Sequence, residues 1–467
     1  MQKYQVAVIG MAVMGKNLAL NIMDHGFSVL VFNRTTEVAL TIVKENPGLG
    51  IAITLEELVE KLETPRKIIV MVKAGDPVDA IMKQLEPLLE KEDIVIDAGN
   101  SYFKDTIRRE KDYASKGLRF IGMGVSGGEE GARRGPAIMP SGNRDAHKAI
   151  EPILTAISAK VNGEACTAYI GENGSGHYVK MVHNGIEYGD MELIAESYQL
   201  LKDVGQKSNE QLSEIFTGYN QRALDSYLIE ITAKILKTKD DLSQDHLIDK
   251  ILDTAGQKGT GLWTSKEALD LGVDISVITS AVFARLISTD RTQRIQAQKL
   301  LPSTIVKAPI PQNLAELVEK ALYAAKVISY AQGFDLMKKA AVAYGWDLNY
   351  ESIAKLFRGG CIIRAKFLNE IAQAFKDPKL SNLLMDPYFT AIMNDSLNAL
   401  REVVALSVYY GISTPSYTAA LSYYDAFRSI NLSTNMIQAQ RDYFGAHTYQ
   451  RTDRDGFYHY ENWGDHE

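Results

Sequence analysis

The hydrophobic pattern changes period along the chain, and the change divides it. In the first third, short apolar runs rich in β-branched residues alternate with helical stretches. Val6-Ala7-Val8-Ile9 reads as a buried strand leading into Gly10-Met11-Ala12-Val13-Met14-Gly15. A helix follows from Lys16 to His25, with Leu18, Ile22 and Met23 on its apolar side, and Gly26 ends it. Val29-Leu30-Val31-Phe32 is a second strand, and Ile68–Val72, Asp93–Asp97 and Arg119–Met123 are others. The last three run into Lys73-Ala74-Gly75-Asp76-Pro77, Ala98-Gly99-Asn100-Ser101 and Gly124-Val125-Ser126-Gly127-Gly128. Polar or glycine-rich loops repeated on one edge predict a doubly wound sheet with its cleft along the carboxyl ends of the strands.

From Lys180 to Asn431 apolar residues recur every three or four positions, as in Ile194, Ala195, Tyr198, Leu201 and Val204. This predicts one large helical domain. A weak repeat relates Tyr188, Gly205 and Phe216-Thr217-Gly218 to Tyr330, Gly345 and Phe357-Arg358-Gly359. After Asn431 the chain turns polar again, yet Asn435–Glu467 holds seven aromatics. That segment is too short for its own core and too aromatic to read as disorder. The expected organisation is an α/β Rossmann-like N-terminal domain (1–178), a large all-α domain (179–433) and a short C-terminal tail (434–467).

Candidate chemistry gathers where the helical pattern begins. Gly174-Ser175-Gly176 opens a helix on which Lys180, His183, Asn184, Glu187 and Tyr188 share one face. Val179, Met181, Val182, Ile186 and Met191 are left to pack the other side. An amine, an imidazole, an amide, a carboxylate and a phenol in one stripe suggest the lining of a cleft. Gly185 within the helix costs about 1 kcal/mol relative to alanine and needs a packing reason.

The first strand, glycine turn, helix and second strand make a dinucleotide-binding unit. Gly10 allows the tight turn, Gly15 lets helix and sheet approach, and the amides of the helix start can hold a pyrophosphate. Ala12 departs from the usual fingerprint, standing where a second glycine is common. The second strand ends in Asn33-Arg34-Thr35-Thr36. No carboxylate awaits a ribose 2′-hydroxyl there, and a guanidinium can meet a 2′-phosphate, so the expected cofactor is NADP. Later, Gly256-Gln257-Lys258-Gly259-Thr260-Gly261 is a flexible loop with one cation and free amides, suited to a phosphate group. Arg285 lies on the apolar helix Ala281–Leu286, where it either snorkels or reaches an anion.

Composition excludes several classes. The 467 residues are 46% hydrophobic, enough for two or three domains. A net charge of −7 gives no global attraction to nucleic acid. Cys166 and Cys361 have no paired spacing, which argues against a disulfide frame or a zinc site. The N-terminus does not read as a signal peptide, and no apolar run approaches a membrane span. A soluble, cytoplasmic protein without a zinc site is expected.

Together these motifs resemble the 6-phosphogluconate dehydrogenase family, the decarboxylating, NADP-linked enzymes of the pentose phosphate pathway. The resemblance runs from Gly10 to Tyr449, is most specific at Asp253–Trp263, and includes the Ala12 variant. Ala98 departs slightly, since a glycine is common there. The resemblance implies that Gly10, Ala12, Val13, Met14, Gly15, Asn33, Arg34, Thr35, Val72, Lys73, Ala74 and Asn100 hold NADP. Asn100, Ser126, Gly127, Gly128, His183 and Asn184 would hold the sugar-acid end of 6-phosphogluconate. Tyr188, Lys258, Thr260 and Arg285 would hold its phosphate, and Arg441 and His447 would arrive from the other subunit of a homodimer. Lys180 is the expected base for alcohol oxidation, and Glu187 the acid that protonates the enediol left by decarboxylation. The alternatives are a non-decarboxylating β-hydroxyacid dehydrogenase and an inactive NADP-binding sensor.

Overall fold

The computed structural model describes residues 3–306 and 308–463. The N-terminal region alternates β1 (Val6–Ile9), α1 (Val13–Asp24), β2 (Val29–Phe32), α2 (Thr36–Glu45), β3 (Gly50–Ile51) and α3 (Leu55–Glu60). It continues through β4 (Lys67–Val70), α4 (Asp76–Leu85), β5 (Ile94–Asp97), α5 (Phe103–Ser115), β6 (Arg119–Val125), α6 (Gly128–Arg134), β7 (Ile138–Gly142) and α7 (Arg144–Ile157). The strands form one sheet in the order β3-β2-β1-β4-β5-β6-β7. All neighbours are parallel except β6 and β7. Alternate residues bury on opposite faces. Val6, Val8, Val29, Val31, Ile69 and Ile96 join one core, while Ala7, Ile9, Leu30, Ile68, Val70 and Val95 join the other. Burial on both faces makes these strands continuous apolar runs.

The chain reverses direction across the sheet between β1 and β4, which places a crevice at their carboxyl ends. Two departures from the sequence reading have physical causes. The first helix begins at Val13, not Lys16, because Lys16 N–H already bonds to Ala12 O at 2.9 Å. The antiparallel strand β7, Ile-Met-Pro-Ser-Gly, escaped the reading because proline and glycine hide its pattern.

A small hairpin of β8 (Lys160–Val161) and β9 (Glu164–Ala165) precedes α8 (Ser175–Gln199), which ends in a π-helical turn over Leu200–Val204. Then come α9 (Asn209–Asn220), α10 (Tyr227–Lys237), α11 (Thr260–Leu271), α12 (Ser276–Thr289), α13 (Arg291–Leu300) and α14 (Leu314–Tyr344). After α15 (Tyr350–Leu356) and α16 (Leu368–Ala374), α17 (Pro387–Tyr410) and α18 (Pro415–Phe427) complete the helical part. The two long helices α8 and α14, on which the two halves of the sequence repeat begin, pack on each other through small residues. A Cβ at Gly189 would lie 2.7 Å from Ser329 Oγ, and one at Gly333 2.6 Å from Ile186 Cδ1. Among the described residues, no helix is long and apolar enough to cross a membrane.

Contacts divide the chain into two compact units, Met1–Ala420 and Leu421–Glu467. Within the second, α19 (Thr434–Gly445) is followed by the hairpin β10 (Tyr449–Gln450) and β11 (Phe457–Tyr458). Within this segment a buried carboxylate gathers donors from the chain that follows it. Asp442 Oδ1 accepts from Thr448 N at 3.0 Å and lies 2.9 Å from His459 Nδ1. Its Oδ2 accepts from Tyr460 N at 3.1 Å and Trp463 Nε1 at 2.7 Å. Burial pushes this carboxyl up, but the Trp463 and His459 donors and the Tyr460 amide outweigh it and hold the pKa at about 2.

Candidate active site

Helix α8 passes through the centre of the first unit, and glycines let it do so. Its start lies against the sheet edge, where a Cβ at Gly176 would stand 2.2 Å from Met139 O. One at Gly124, on β6, would stand 2.5 Å from Lys180 Cβ. Gly185 has the packing reason the sequence demanded, since a Cβ there would meet Thr264 Cγ2 of α11 at 2.8 Å. Almost every residue from Ser175 to Asp190 is buried, so the polar stripe is not a solvated face. Met191 is the exception to the expected apolar side: it is 42% exposed, and its sulfur meets Arg285 Nη2.

Lys180, 6% exposed, donates from Nζ to Ser126 Oγ at 2.9 Å, and its Nζ is 3.3 Å from His183 Nδ1. His183 Nε2 is 3.3 Å from Ser126 Oγ, and Nδ1 is 3.0 Å from Asn184 Oδ1. These partners assign the imidazole proton to Nδ1, which donates to Asn184, and leave Nε2 to accept from the serine hydroxyl. Burial, with the Lys180 charge, holds the His183 pKa well below its ordinary value, so the ring is neutral. Burial also lowers the Lys180 pKa, against the opposing charge of Glu187 and the Cys361 thiol. Among the described residues no carboxylate stands within ion-pair distance of Lys180, and burial outweighs the more distant Glu187.

Glu187 lies two turns along α8, partly exposed, its carboxylate 3.9 Å from His183 Nδ1. Burial raises its pKa despite Lys180 and Arg285, and Asp190 adds to the rise. The two ends of the stripe are thus perturbed in opposite senses, the amine toward neutrality and the carboxyl toward retaining its proton.

One residue further on, the Tyr188 ring supports Arg285, whose Cζ is 3.6 Å from the ring centroid. Arg285 Nη1 also bonds to Gly256 O at 3.3 Å, and a Cβ at Gly261 would stand 2.6 Å from the Tyr188 ring. The glycine loop therefore meets α8 and α12 at this end. Thr260 is buried at the first turn of α11, and Lys258 is exposed on the loop. The structure thus joins Ser126, Lys180, His183, Asn184, Glu187, Tyr188 and Arg285 in one continuous row.

The other predicted residues line the sheet edge. Gly10 adopts φ 97°, and a Cβ there would lie 2.4 Å from Met71 O. A Cβ at Gly15 would lie 1.8 Å from Gly10 O, so the turn and α1 close only with glycine. Ala12, Val13 and Met14 open α1 and leave its amides toward the crevice edge. Asn33 ties this turn to the end of β2, accepting from Met11 N at 2.9 Å and donating to Thr35 O at 2.9 Å. Arg34 and Thr35 beside it are exposed. Val72, Lys73 and Ala74 follow β4, and exposed Asn100 follows β5. Gly127 and Gly128 start α6, both with positive φ. Arg441 and His447 belong to the second unit and are exposed there; Arg441 Nη1 donates to Gln438 Oε1 at 3.1 Å.

A cradle that only glycine fits, open helix amides and an arginine after β2 that makes no ion pair among the described residues suit a phosphorylated dinucleotide. Sequence reading missed three contributors to the site. Phe357 sets its ring edge-on to His183 at 5.2 Å. Cys361 sits close enough to Lys180 to affect its charge, with its own thiol pushed by burial to about 12 and therefore neutral. Gly360 closes the loop onto Gly127, where a Cβ would meet Gly360 O at 2.6 Å. The Gly359-Gly360 pair was a visible signal of close approach; nothing local marked Phe357 or Cys361.

Fold and site together define a nicotinamide-dependent dehydrogenase whose buried lysine follows its coenzyme domain on a helix. Comparison with known proteins narrows the class. The family model described as the NAD binding domain of 6-phosphogluconate dehydrogenase matches residues 5–171, and that of its C-terminal domain matches 176–463. The NADP(+)-dependent, decarboxylating 6-phosphogluconate dehydrogenase of Bacillus subtilis is 56% identical over 467 residues, 99% of each chain. The decarboxylating enzyme of Escherichia coli K12 is 53% identical over 468 residues, again 99% of each. The solved Plasmodium falciparum 6-phosphogluconate dehydrogenase superposes with a TM-score of 0.95 at 44% identity, covering 98% of this chain and 100% of that one. The chain belongs to the 6-phosphogluconate dehydrogenase family and is an NADP-dependent, decarboxylating oxidoreductase.

Proposed function

We propose that the row along α8 converts 6-phospho-D-gluconate to D-ribulose 5-phosphate and CO2 through Lys180 as base and Glu187 as acid. The observation that carries this division is the buried, unpaired Lys180 bonded to Ser126, with Glu187 two turns away. Arg285 and Tyr188, with Lys258 and Thr260, bind the phosphate end. Ser126, Gly127, Gly128, Asn100, His183 and Asn184 bind the sugar-acid end and orient the reacting hydroxyl. Gly10, Ala12, Val13, Met14, Gly15, Asn33, Arg34, Thr35, Val72, Lys73, Ala74 and Asn100 hold NADP, which when bound supplies the hydride acceptor.

Neutral Lys180 takes the proton of the substrate's C3 hydroxyl as hydride leaves that carbon. The resulting ammonium then polarises the new ketone. Carbon dioxide departs, the electrons of the broken carbon–carbon bond move toward the ketone, and Lys180 returns its proton to the oxygen. Glu187 protonates the carbon that lost the carboxyl group while Lys180 takes back the hydroxyl proton as the ketone re-forms, which completes the product. Neutral His183 fixes Ser126 and adds no positive charge to compete with Lys180.

The direct test is NADPH formation from 6-phosphogluconate with one CO2 and one ribulose 5-phosphate per NADPH. NADPH without CO2 would support a non-decarboxylating dehydrogenase instead, and no turnover would support a sensor. In the same assay Arg34→Asp is expected to cut kcat/KM for NADP by about 10²-fold, because a carboxylate replaces a charge-assisted phosphate contact. Relative use of NAD should rise; an NADP to NAD ratio that stays within about twofold removes Arg34 from cofactor choice.

The tail completes the reading. We infer that the chain works in the cytoplasm as a homodimer in which Arg441 and His447 serve the partner's site. The exposure of both residues, and of Met436, Ile437, Tyr443 and Phe444 around them, supports a tail made to dock. Lys180→Met and Arg441→Ala chains, each nearly inactive, should complement when refolded together. In a mixed dimer one site carries both defects and the other carries neither. At equal concentrations activity should return to about a quarter of wild type, the outcome for random pairing in a symmetric dimer. Well-formed mixed dimers without activity would show that Arg441 serves its own chain or none.

A further inference from the structure

The loop after β4 and the loop after β5 are the two that would face the cofactor from the far side of the crevice. They touch: a Cβ at Gly99 would stand 3.0 Å from Val72 O. The ladder between β4 and β5 reaches the base of both loops, where Ala98 N donates to Val70 O at 2.9 Å. A single side chain from a third element reaches both. Arg109 lies in the second turn of α5, and its side chain is 1% exposed.

Its guanidinium makes a fork to the first turn of α4, which ends one loop, and a single arm to the end of β5, which begins the other. Nε donates to Asp79 Oδ1 and Nη2 to Asp79 Oδ2, both at 2.9 Å. Nη2 also donates to Gly75 O at 3.1 Å, the residue that caps α4 with φ 88°. From the other side, Nη1 donates to Asp97 Oδ2 at 3.1 Å and reaches Ser101 Oγ at 3.5 Å. Asp97 in turn accepts Gly99 N at 3.1 Å through Oδ1, which sets the turn leading to Asn100. All three guanidinium nitrogens are thus used, and both loops are held to one rigid planar group.

We propose that Arg109 is a positioning residue for NADP: it fixes the separation of Val72-Lys73-Ala74 from Asn100, and so the width of the cofactor slot. It touches neither cofactor nor substrate. Burial of a cation here disfavours the charge, and the carboxylates of Asp79 and Asp97 more than restore it, so the fork is permanent at any working pH. Planarity is what the task requires. A lysine offers the charge but only a point contact, and it cannot hold Asp79 in two bonds while also reaching Asp97. The role predicts a division of effects. Loops held at the wrong width should weaken NADP, while the row on α8, which has its own partners, should bind 6-phosphogluconate as before.

This inference rests on the reading that the two loops hold NADP, and the experiment separates the two. NADP dissociation constants are measured by fluorescence titration of the unreduced enzyme, alongside 6-phosphogluconate binding and thermal melting. Arg109→Lys is expected to raise the NADP dissociation constant about tenfold or more and to leave that of 6-phosphogluconate within about twofold. Asp79→Asn, at a partly exposed carboxylate, removes half of the fork and serves if Arg109→Lys does not fold. It should move NADP binding in the same direction by a smaller factor. Ala74→Trp, which fills the loop itself, should abolish NADP binding. If Ala74→Trp abolishes it while Arg109→Lys or Asp79→Asn only lowers the melting temperature, Arg109 is structural and the proposal fails. If Ala74→Trp also leaves NADP binding intact, the loop assignment fails and the proposal with it. Equal loss of affinity for both ligands in Asp79→Asn overturns it as well, since that is general damage.

Discussion

Lys180→Met is expected to lower kcat for oxidation of 6-phosphogluconate by about 10²–10⁴-fold, the range for losing a general base. Methionine keeps the length and apolar stem, so the contact with Gly124 survives while the amine is lost. The same variant should fail to decarboxylate a supplied 3-keto acid, because the ammonium that polarises the ketone is gone. Both steps are read separately, one as NADPH in a single turnover and the other as CO2. The pH dependence follows from the direction of the shift. Burial lowers the Lys180 pKa, so free amine is present at lower pH than for an exposed lysine. As pH falls the amine gains its proton and kcat/KM falls with it. Near-normal kcat in Lys180→Met would remove the residue from the mechanism.

Glu187→Gln should separate chemistry that Lys180→Met abolishes together. Hydride transfer does not need the carboxyl, so the first turnover should still form NADPH. Steady-state turnover should fall by about 10²-fold or more, because an amide cannot deliver the proton to carbon. The expected trace is a burst followed by a slow phase. Here the pH logic reverses. Burial raises the Glu187 pKa, so the carboxyl keeps its proton at higher pH than an exposed one, and wild-type activity falls as pH rises and the acid is lost. In Glu187→Gln that alkaline fall should vanish, leaving a rate that climbs with pH to a plateau. A mutant that still falls at high pH would assign that limb to another group.

The strands, the glycine turn, the missing carboxylate after β2 and the polar stripe on α8 were all legible along the chain. They are local: each depends on a period, a glycine or a spacing within about a dozen residues. Even so, periodicity misplaced the start of α1 by three residues, since a backbone bond from Lys16 to Ala12 sets it. It passed over β7, whose partner β6 lies across a turn and a helix. On sequence the stripe is favoured as a cleft lining over solvated charges at Lys180 and Glu187. Packing of the sheet edge and α11 around α8 decided that, by burying almost every residue from Ser175 to Asp190.

The sequence by itself determined the class of fold, the phosphorylated cofactor and the row of groups from Lys180 to Tyr188, because covalent spacing along one helix orders them. Only tertiary structure decided their protonation and their neighbours. Ser126 reaches Lys180 from 54 positions earlier, Phe357 and Cys361 reach the same site from the loop that follows α15, and Arg109 spans two loops from a third element. A pKa depends on how much water is removed and which charges remain, and both are properties of the assembled interior. The tail shows the same limit. Asp442 looks like any acidic residue in a polar segment, and only closure of the hairpin brings Thr448, His459, Tyr460 and Trp463 onto its two oxygens.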